Sequence, residues 1–183
     1  GARNAQNRAI ELTLLLTIPC LIAFLLIPDL IMRALFLRGK FTADDALAAG
    51  ATLAAYAIGL IPYVLIRSVT APFFARGDTA TPVKASLIAV AVNILIKIAL
   101  MGPLAQVGLA IATAIGAWVN VGLVLWFSSR AGIAVMDARL KRSVLLLSAI
   151  GCVFGITLFL SYRGVTALYR DLPAFRDEAA LAT

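Results

Sequence analysis

The sequence predicts an all-α protein, a polytopic bundle of about five membrane-spanning helices. Hydrophobic residues make up 62% of the chain and charged residues only 14%, whereas a soluble domain is about half apolar and a quarter charged. The mean hydropathy is +1.00. Because a helix needs about 20 mainly apolar residues to cross a bilayer, the apolar runs predict crossings at 10–27, 51–75, 82–101, 107–127 and 144–162.

The first predicted crossing contains a proline and ends at another. Pro19 removes a backbone donor, so a kink is expected there, with the hydroxyl of Thr17 or a neighbouring helix as compensation. Pro28 then ends the apolar run, and residues 30–37 are too few to cross. Further along, Thr42 followed by Asp45 predicts a capped helix start, with the acidic side chain favourable against the helix dipole.

The next crossings are separated by short connections. Pro62 and Pro72 lie within the second crossing, and Thr81 reads as the N-cap of the third, with Pro82 at its first helical position. Only residues 102–106 join the third crossing to the fourth, which predicts antiparallel neighbours.

The last crossing, unlike the three before it, has no row of polar residues along one helix face. It offers Gly151 and Gly155 in a small-xxx-small arrangement suited to close helix contact. The transmembrane unit is thus predicted over residues 1–162. Residues 163–183 are predicted as a tail, either an amphipathic surface helix or a disordered segment, and the sequence does not decide between the two.

The net charge of +7 is better explained by membrane orientation than by nucleic acid. The basic residues are scattered over short loops and form no patch with exposed aromatic side chains. With a cytoplasmic N-terminus, the cytoplasmic side collects the basic cluster at 130–142, as the positive-inside rule requires. We therefore expect a multi-pass protein that lies in a phospholipid bilayer and does not bind nucleic acid.

Polar side chains recur at helical spacing on three successive crossings. Residues 3, 4, 7 or 11 positions apart lie on nearly one face of a helix, so each crossing presents one polar stripe, and the three stripes are predicted to converge on a wet interior. The stripes are Tyr56, Tyr63, Arg67 and Thr70 on the second crossing, Ser86, Asn93 and Lys97 on the third, and Gln106, Thr113 and Asn120 on the fourth.

Arg67 and Lys97 are the most informative members, because a charge at the bilayer centre costs ~3 kcal/mol or more. Such residues usually face a water-filled path, which predicts a transporter. Lys97 has an equal alternative, since it lies close enough to the end of its crossing for the side chain to snorkel to the interface.

For the uncharged members, a purely structural role competes with ligand binding. For Asn93, Thr113 and Asn120, hydrogen bonds between helices are the leading explanation. Tyr56 and Tyr63 are likewise explained by packing with satisfied hydroxyl groups.

Most enzyme chemistries are excluded from this sequence. It contains no histidine, and all its acidic residues lie in loops or at the ends of crossings, so no paired carboxylates are expected inside the membrane. No phosphate-binding loop or zinc motif appears, and no cofactor or metal is expected. A cationic, hydroxyl-bearing interior instead suits an anionic ligand, because a guanidinium pairs well with phosphate.

Three ordered motifs resemble the MurJ/MviN family, the bacterial lipid II flippases. The most specific is Phe-Phe-Ala-Arg-Gly-Asp-Thr-Ala-Thr-Pro-Val at 73–83, which resembles the family's Phe-Tyr-Ala-Arg-x-Asp-Thr-x-Thr-Pro-Val signature. The others are Leu-Phe-x-x-Gly-Lys-Phe-Thr-x-x-Asp-Ala at 35–46 and Gly-Leu-Ala-Ile-Ala-Thr at 108–113, running on to Ala-Trp-Val-Asn at 117–120. The resemblance covers nearly all of residues 5–162.

The resemblance implies a helical fold of two six-helix lobes plus two extra helices, of which this chain would be part of the second lobe. It also implies alternating-access transport of the undecaprenyl-diphosphate-linked peptidoglycan precursor in the bacterial inner membrane, with basic cavity residues receiving the diphosphate. The chain would then be a fragment that lacks its N-terminal lobe. Arg67, supported by Tyr63, Thr70 and Tyr56, would bind the diphosphate, and Ser86, Asn93, Lys97, Thr113 and Asn120 would line the cavity.

Some residues depart from the family pattern. Phe74 replaces the usual tyrosine, and Pro72 stands one place later than expected. Lys97 stands where relatives carry small polar or acidic groups, which argues against a cation site on that helix. Two other functions remain open at this stage: export of another polyprenyl-linked oligosaccharide or a drug, and a non-transporting membrane scaffold for cell-wall enzymes.

Overall fold

All the regular secondary structure in the described part of the chain is helical, which confirms the predicted all-α class. The computed structural model describes residues 2–37, 39–132 and 138–170, with side chains for 8–37, 39–132 and 145–164. Within these ranges the helices are α1 (Ala2–Leu26), α2 (Pro28–Phe36), α3 (Ala43–Ala57), α4 (Leu60–Phe74), α5 (Ala80–Arg130) and α6 (Ala138–Arg170).

Four helical stretches are long and apolar enough to cross a membrane, namely Arg8–Leu26, Ala43–Phe74, Ala80–Arg130 and Leu145–Gly164. The third is 51 residues long, but non-helical backbone angles at Ala105 divide it into two arms, 80–104 and 106–130. Each arm is roughly 37 Å long at helical rise, more than the ~30 Å hydrocarbon core. The chain is therefore a multi-pass membrane protein.

The start of α3 forms as the sequence predicts. Thr42 is the N-cap, and the Asp45 amide donates to its hydroxyl over 3.2 Å. The Thr42 amide donates in return to the Asp45 carboxylate over 2.9 Å. This capping box satisfies donors that the first turn of a helix otherwise leaves free, and it places the helix start eight residues before the predicted crossing at 51–75.

That crossing is also not one continuous helix, because α3 and α4 are separated at Ile58 and Gly59. Pro62 has no N–H to donate to the carbonyl of Ile58, four residues earlier. The indole N–H of Trp118, on the second arm of α5, donates to that carbonyl instead, over 2.9 Å. A side chain from a neighbouring helix thus satisfies the backbone group that the proline leaves free.

The expected N-cap of the third crossing is wrong. The structure places Thr79 at the N-cap position and begins α5 at Ala80. Thr81 is a donor there, since its amide and hydroxyl donate to the Asp78 carboxylate over 3.0 and 2.6 Å. These two bonds, the one to the hydroxyl first, lower the pKa of Asp78 below its usual value. The carboxylate outcompetes the threonine because it is ionised and accepts both bonds.

The two arms of α5 are antiparallel neighbours, as predicted, and their connection is tighter than the expected loop at 102–106. Only Ala105 leaves helical geometry, with a φ of 46° and a ψ of -122°. The arms then approach so closely that a Cβ atom at Gly108 would lie 2.9 Å from the carbonyl carbon of Leu100. Glycine is required there because any side chain would meet backbone.

The pair α1 and α6 packs through the predicted glycines. A Cβ atom at Gly151 would lie 3.0 Å from Ile22 Cδ1, and one at Gly155 would lie 3.1 Å from Ile22 Cγ2. The expectation of close helix contact is confirmed. α6 continues past the predicted end at 162 to Arg170, and residues 171–183 of the predicted tail lie outside the described residues.

Candidate ligand pocket between α4 and α5

A cavity of about 170 Å³ opens between α4 and the two arms of α5. Its walls are the first turns of α4, around Pro62, and the middle of each arm of α5. Apolar side chains of all three segments complete a lining whose polar members come from the three predicted stripes. Those members are Tyr63, Ser86, Asn93 and Asn120.

Asn93 is seated in the pocket by a glycine on the opposite arm. A Cβ atom at Gly116 would lie 2.9 Å from both the Cβ and the Nδ2 atom of Asn93. Real Cβ atoms do not approach that closely, so an alanine at 116 would push the carboxamide out of its position. The side chain of Asn93 is half-buried, and it has no hydrogen-bond partner among the described residues.

The other polar members are loosely bonded. The hydroxyl of Ser86 donates to Oδ1 of Asn120 over 3.5 Å, which is long for a hydroxyl donor and therefore weak. The side chain of Tyr63 is 55% exposed at the mouth of the pocket. Much of the hydrogen-bonding capacity of these groups is thus available to a ligand.

Arg67 does not line this pocket, but it lies on the same face of α4 as Tyr63. Its side chain is exposed, and four residues separate it from Tyr63, which is one turn or ~6 Å along the axis. Thr70 stands near Arg67, yet its hydroxyl donates to the carbonyl of Ile66 over 2.9 Å. That donor is already used within α4.

Three other predicted site residues lie away from the pocket. Tyr56 belongs to α3, and the break at 58–59 ends the helical spacing that related it to Tyr63. The hydroxyl of Thr113 donates to the carbonyl of Leu109 over 2.8 Å. Lys97 is half-buried one turn beyond Asn93, on the first arm toward the turn at Ala105.

The lining contains no charged side chain among the residues that the structure describes. In those same ranges, no group of histidine, cysteine or acidic residues is arranged to hold a metal ion. The pocket is therefore suited to hydrogen bonding with a neutral group. The nearest cation on α4 is the exposed guanidinium of Arg67.

A family model described as lipid II flippase MurJ matches residues 1–171 of this chain. The chain belongs to that family. A probable lipid II flippase MurJ of Rhizobium tropici is 38% identical over 163 residues, which cover 88% of this chain and 31% of the relative. The lipid II flippase MurJ of Thermosipho africanus is 32% identical over 122 residues, which cover 67% of this chain and 26% of the relative.

A solved structure titled lipid II flippase MurJ, inward closed conformation, has a similar fold. It superposes with a TM-score of 0.64 at 25% identity, covering 91% of this chain and 39% of that one. The fold is thus that of a helical transmembrane MurJ protein. The chain spans less than a third of the length of the curated relatives named above.

The motifs that resemble the MurJ family are largely structural in this fold. Phe73 is fully buried among Val69, Ala85 and Val124. Gly77 has a φ of 74°, in the left-handed region that favours glycine, and the Asp78 carboxylate then accepts a hydrogen bond from the first turn of α5. The motif residues that line the candidate pocket are Ala117 and Asn120.

Sequence reasoning missed Gly116 and Trp118 as residues that shape the site. One signal was available for Trp118, because Pro62 implies a free carbonyl at position 58 and an indole is a pure donor. No signal pointed to Gly116, since its importance depends on which residue of the other arm it faces.

Proposed function

We propose that this chain is part of a flippase that moves lipid II, the undecaprenyl-diphosphate-linked peptidoglycan precursor, across the bacterial inner membrane. The family match over residues 1–171 supports this, as do relatives named lipid II flippase. Within the chain, one observation carries the proposal. Arg67 lies on a transmembrane helix, with its guanidinium exposed, one helical turn from a residue that lines a polar pocket.

Arg67 would bind the diphosphate of the ligand. A guanidinium forms paired, charge-assisted hydrogen bonds with phosphate oxygens, and Arg67 has no ion-pair partner among the described residues. Its charge is thus not neutralised within the described fold. Tyr63, exposed one turn away, would add a hydroxyl donor, while contacts from Thr70 and Tyr56 stay predictions.

Transport would proceed by alternating access between this chain and a further lobe on its N-terminal side. In transporters of this kind, the site lies between two lobes that rock against each other. Translocation of a lipid breaks no covalent bond, so the proposed role requires neither catalytic residues nor a cofactor. Lys97, Thr113 and the pocket residues would line the path of the head group.

Replacement of Arg67 in the full-length protein tests the proposal. Arg67→Ala should reduce flipping of lipid II in proteoliposomes at least tenfold, because a charge-assisted contact worth ~1.5–3 kcal/mol is lost. Cells that depend on the protein should then grow poorly. Arg67→Lys keeps the charge without the paired geometry and should retain intermediate activity.

Arg33→Ala is the matched control, since Arg33 is an exposed arginine on α2, away from the pocket. It should leave both flipping and growth unchanged. Normal growth with Arg67→Ala would contradict the proposed role of the guanidinium. Flipping of other polyprenyl-linked oligosaccharides in preference to lipid II would favour the alternative substrate class.

A further inference from the structure

We propose that the pocket between α4 and α5 binds a neutral sugar ring of the lipid-linked ligand, the ring that is attached to the diphosphate. This inference rests on the proposed function, because it assigns a second part of the same ligand to a second site. Two parts of the ligand are then bound by neighbouring groups on one face of the chain. Arg67 binds the charged group, and the pocket selects the group next to it.

The size of the cavity fits one ring. Its volume is about 170 Å³, and a protein cavity of ~150 Å³ is known to hold benzene. A six-membered ring therefore fits, with its substituents at the mouth. A diphosphate would fit by volume as well, so the choice between the two depends on the chemistry of the walls.

The walls favour a neutral, hydroxyl-bearing group. Carboxamides and hydroxyls both donate and accept hydrogen bonds, which matches the hydroxyl and amide groups of a sugar. The apolar part of the lining suits the C–H faces of such a ring. A diphosphate would instead require positive charge, and no described residue of the lining is charged.

Unused hydrogen-bonding groups point into the cavity. Asn93 is held in the lining by Gly116, yet its carboxamide has no partner among the described residues. If these residues served only to join helices, the carboxamide would be expected to bond across the arms. The structure instead joins the arms there by one long bond, from Ser86 to Asn120.

The position of the pocket also fits the covalent order of the ligand. Tyr63 lines the pocket, and Arg67 follows one helical turn later, ~6 Å along the axis. A diphosphate and its first sugar are directly bonded, so their centres are separated by a similar distance. A ligand held by Arg67 would thus bring that ring to the mouth of the pocket.

The test compares two lipids on the full-length protein in nanodiscs: lipid II and undecaprenyl diphosphate, which lacks the sugars. Asn93→Leu and Asn120→Leu should each weaken the binding of lipid II roughly five- to tenfold, the effect of about one lost hydrogen bond. The binding of undecaprenyl diphosphate should not change. An equal loss for both lipids, or no loss for either, would overturn the proposal.

Arg67→Ala distinguishes this inference from the proposed function. It should weaken the binding of both lipids by a similar factor, because both carry the diphosphate. If Arg67→Ala has no effect while Asn93→Leu still acts on lipid II alone, the diphosphate role fails and the sugar site stands. The opposite pattern refutes the sugar site alone.

Two further variants guard against misfolding. Tyr63→Phe removes only an exposed hydroxyl, so it should fold normally and weaken lipid II binding about threefold. Gly116→Ala displaces Asn93 and should also act on lipid II alone. Its control is Gly122→Ala on the same arm, where a Cβ atom would meet nothing within 4 Å. Equal effects of the two glycine variants would contradict the pocket.

Discussion

The contact between α1 and α6 differs in kind from the contact between α4 and α5. The first is apolar: isoleucines of α1 lie against Gly151 and Gly155 of α6. The second encloses a polar cavity that contains two carboxamides. Both contacts use glycine, but Gly151 lets two helices approach, whereas Gly116 makes room for the polar side chain of Asn93. The comparison shows that one contact is closed by apolar packing, whereas the other leaves polar side chains around a cavity.

The largest expected effect is on packing at the apolar contact. Gly151→Leu should destabilise the full-length protein by about 3 kcal/mol, because the added side chain overlaps Ile18 and Ile22 and overpacking of this size costs ~1–3 kcal/mol. Thermal unfolding in detergent measures this as a lower midpoint. The lipid selectivity of any protein that remains folded should be unchanged.

Gly164→Leu is the control for that substitution. Gly164 lies on the same helix, and a Cβ atom there would meet nothing within 4 Å. Its unfolding midpoint should stay near that of the unmodified protein. Equal losses at 151 and 164 would mean that α6 does not depend on contact with α1.

A smaller effect is expected beside the polar contact, at the hydrogen bond from Trp118 to Ile58. Trp118→Phe removes the indole donor and should cost about 1 kcal/mol, since the carbonyl of Ile58 is then unsatisfied. Unfolding of the protein in a urea or detergent titration should detect this loss of stability.

Pro62→Ala tests whether Trp118 stabilises the protein through its hydrogen bond to the Ile58 carbonyl. Alanine restores an N–H four residues after Ile58, so the helix can satisfy that carbonyl itself. The double variant should therefore lose less stability from Trp118→Phe than the unmodified protein does. Strictly additive losses would show that the indole acts through packing and not through the carbonyl.

The smallest effect is expected at the turn between the arms of α5. Ala105 has a positive φ with a ψ of -122°, a sparsely populated backbone region that costs a residue with a Cβ atom about 1–3 kcal/mol. Ala105→Gly relieves that strain, but it also raises the conformational entropy of the unfolded chain, which lowers the stability by ~0.4–1 kcal/mol. The net result should be a stabilisation of about 0.5 kcal/mol, measured by thermal unfolding, with lipid binding unaltered. A loss of stability would contradict the strained turn.

Local sequence signals predicted the parts of the fold that depend on neighbours in the chain. Thr42 and Asp45 identified the start of α3 because a capping box involves only four consecutive residues. The same reasoning failed at Thr81, since Asp78, three residues earlier, accepts its hydrogen bonds. Thr42 directly precedes α3, whereas Thr81 is the second residue of α5, because the Asp78 carboxylate accepts at the start of that helix.

Helical spacing brought together those stripe residues that lie within unbroken helices. Ser86 and Asn93 share the first arm of α5, so their relation survives in the pocket. Tyr56 was related to Tyr63 by the same rule, but the break between α3 and α4 lies between them. Periodicity carries no information across a break, and it does not indicate which residues of two arms face each other.

The joint between α3 and α4 has a mechanical consequence for the pocket. Pro62 forms part of the pocket wall, and the free carbonyl beside the joint is held by Trp118, two residues beyond Gly116. A change in the angle between α3 and α4 would therefore move the Pro62 wall of the pocket close to the point where Trp118 holds the chain. The width of the pocket and the hydrogen bond from Trp118 to Ile58 are thus expected to change together.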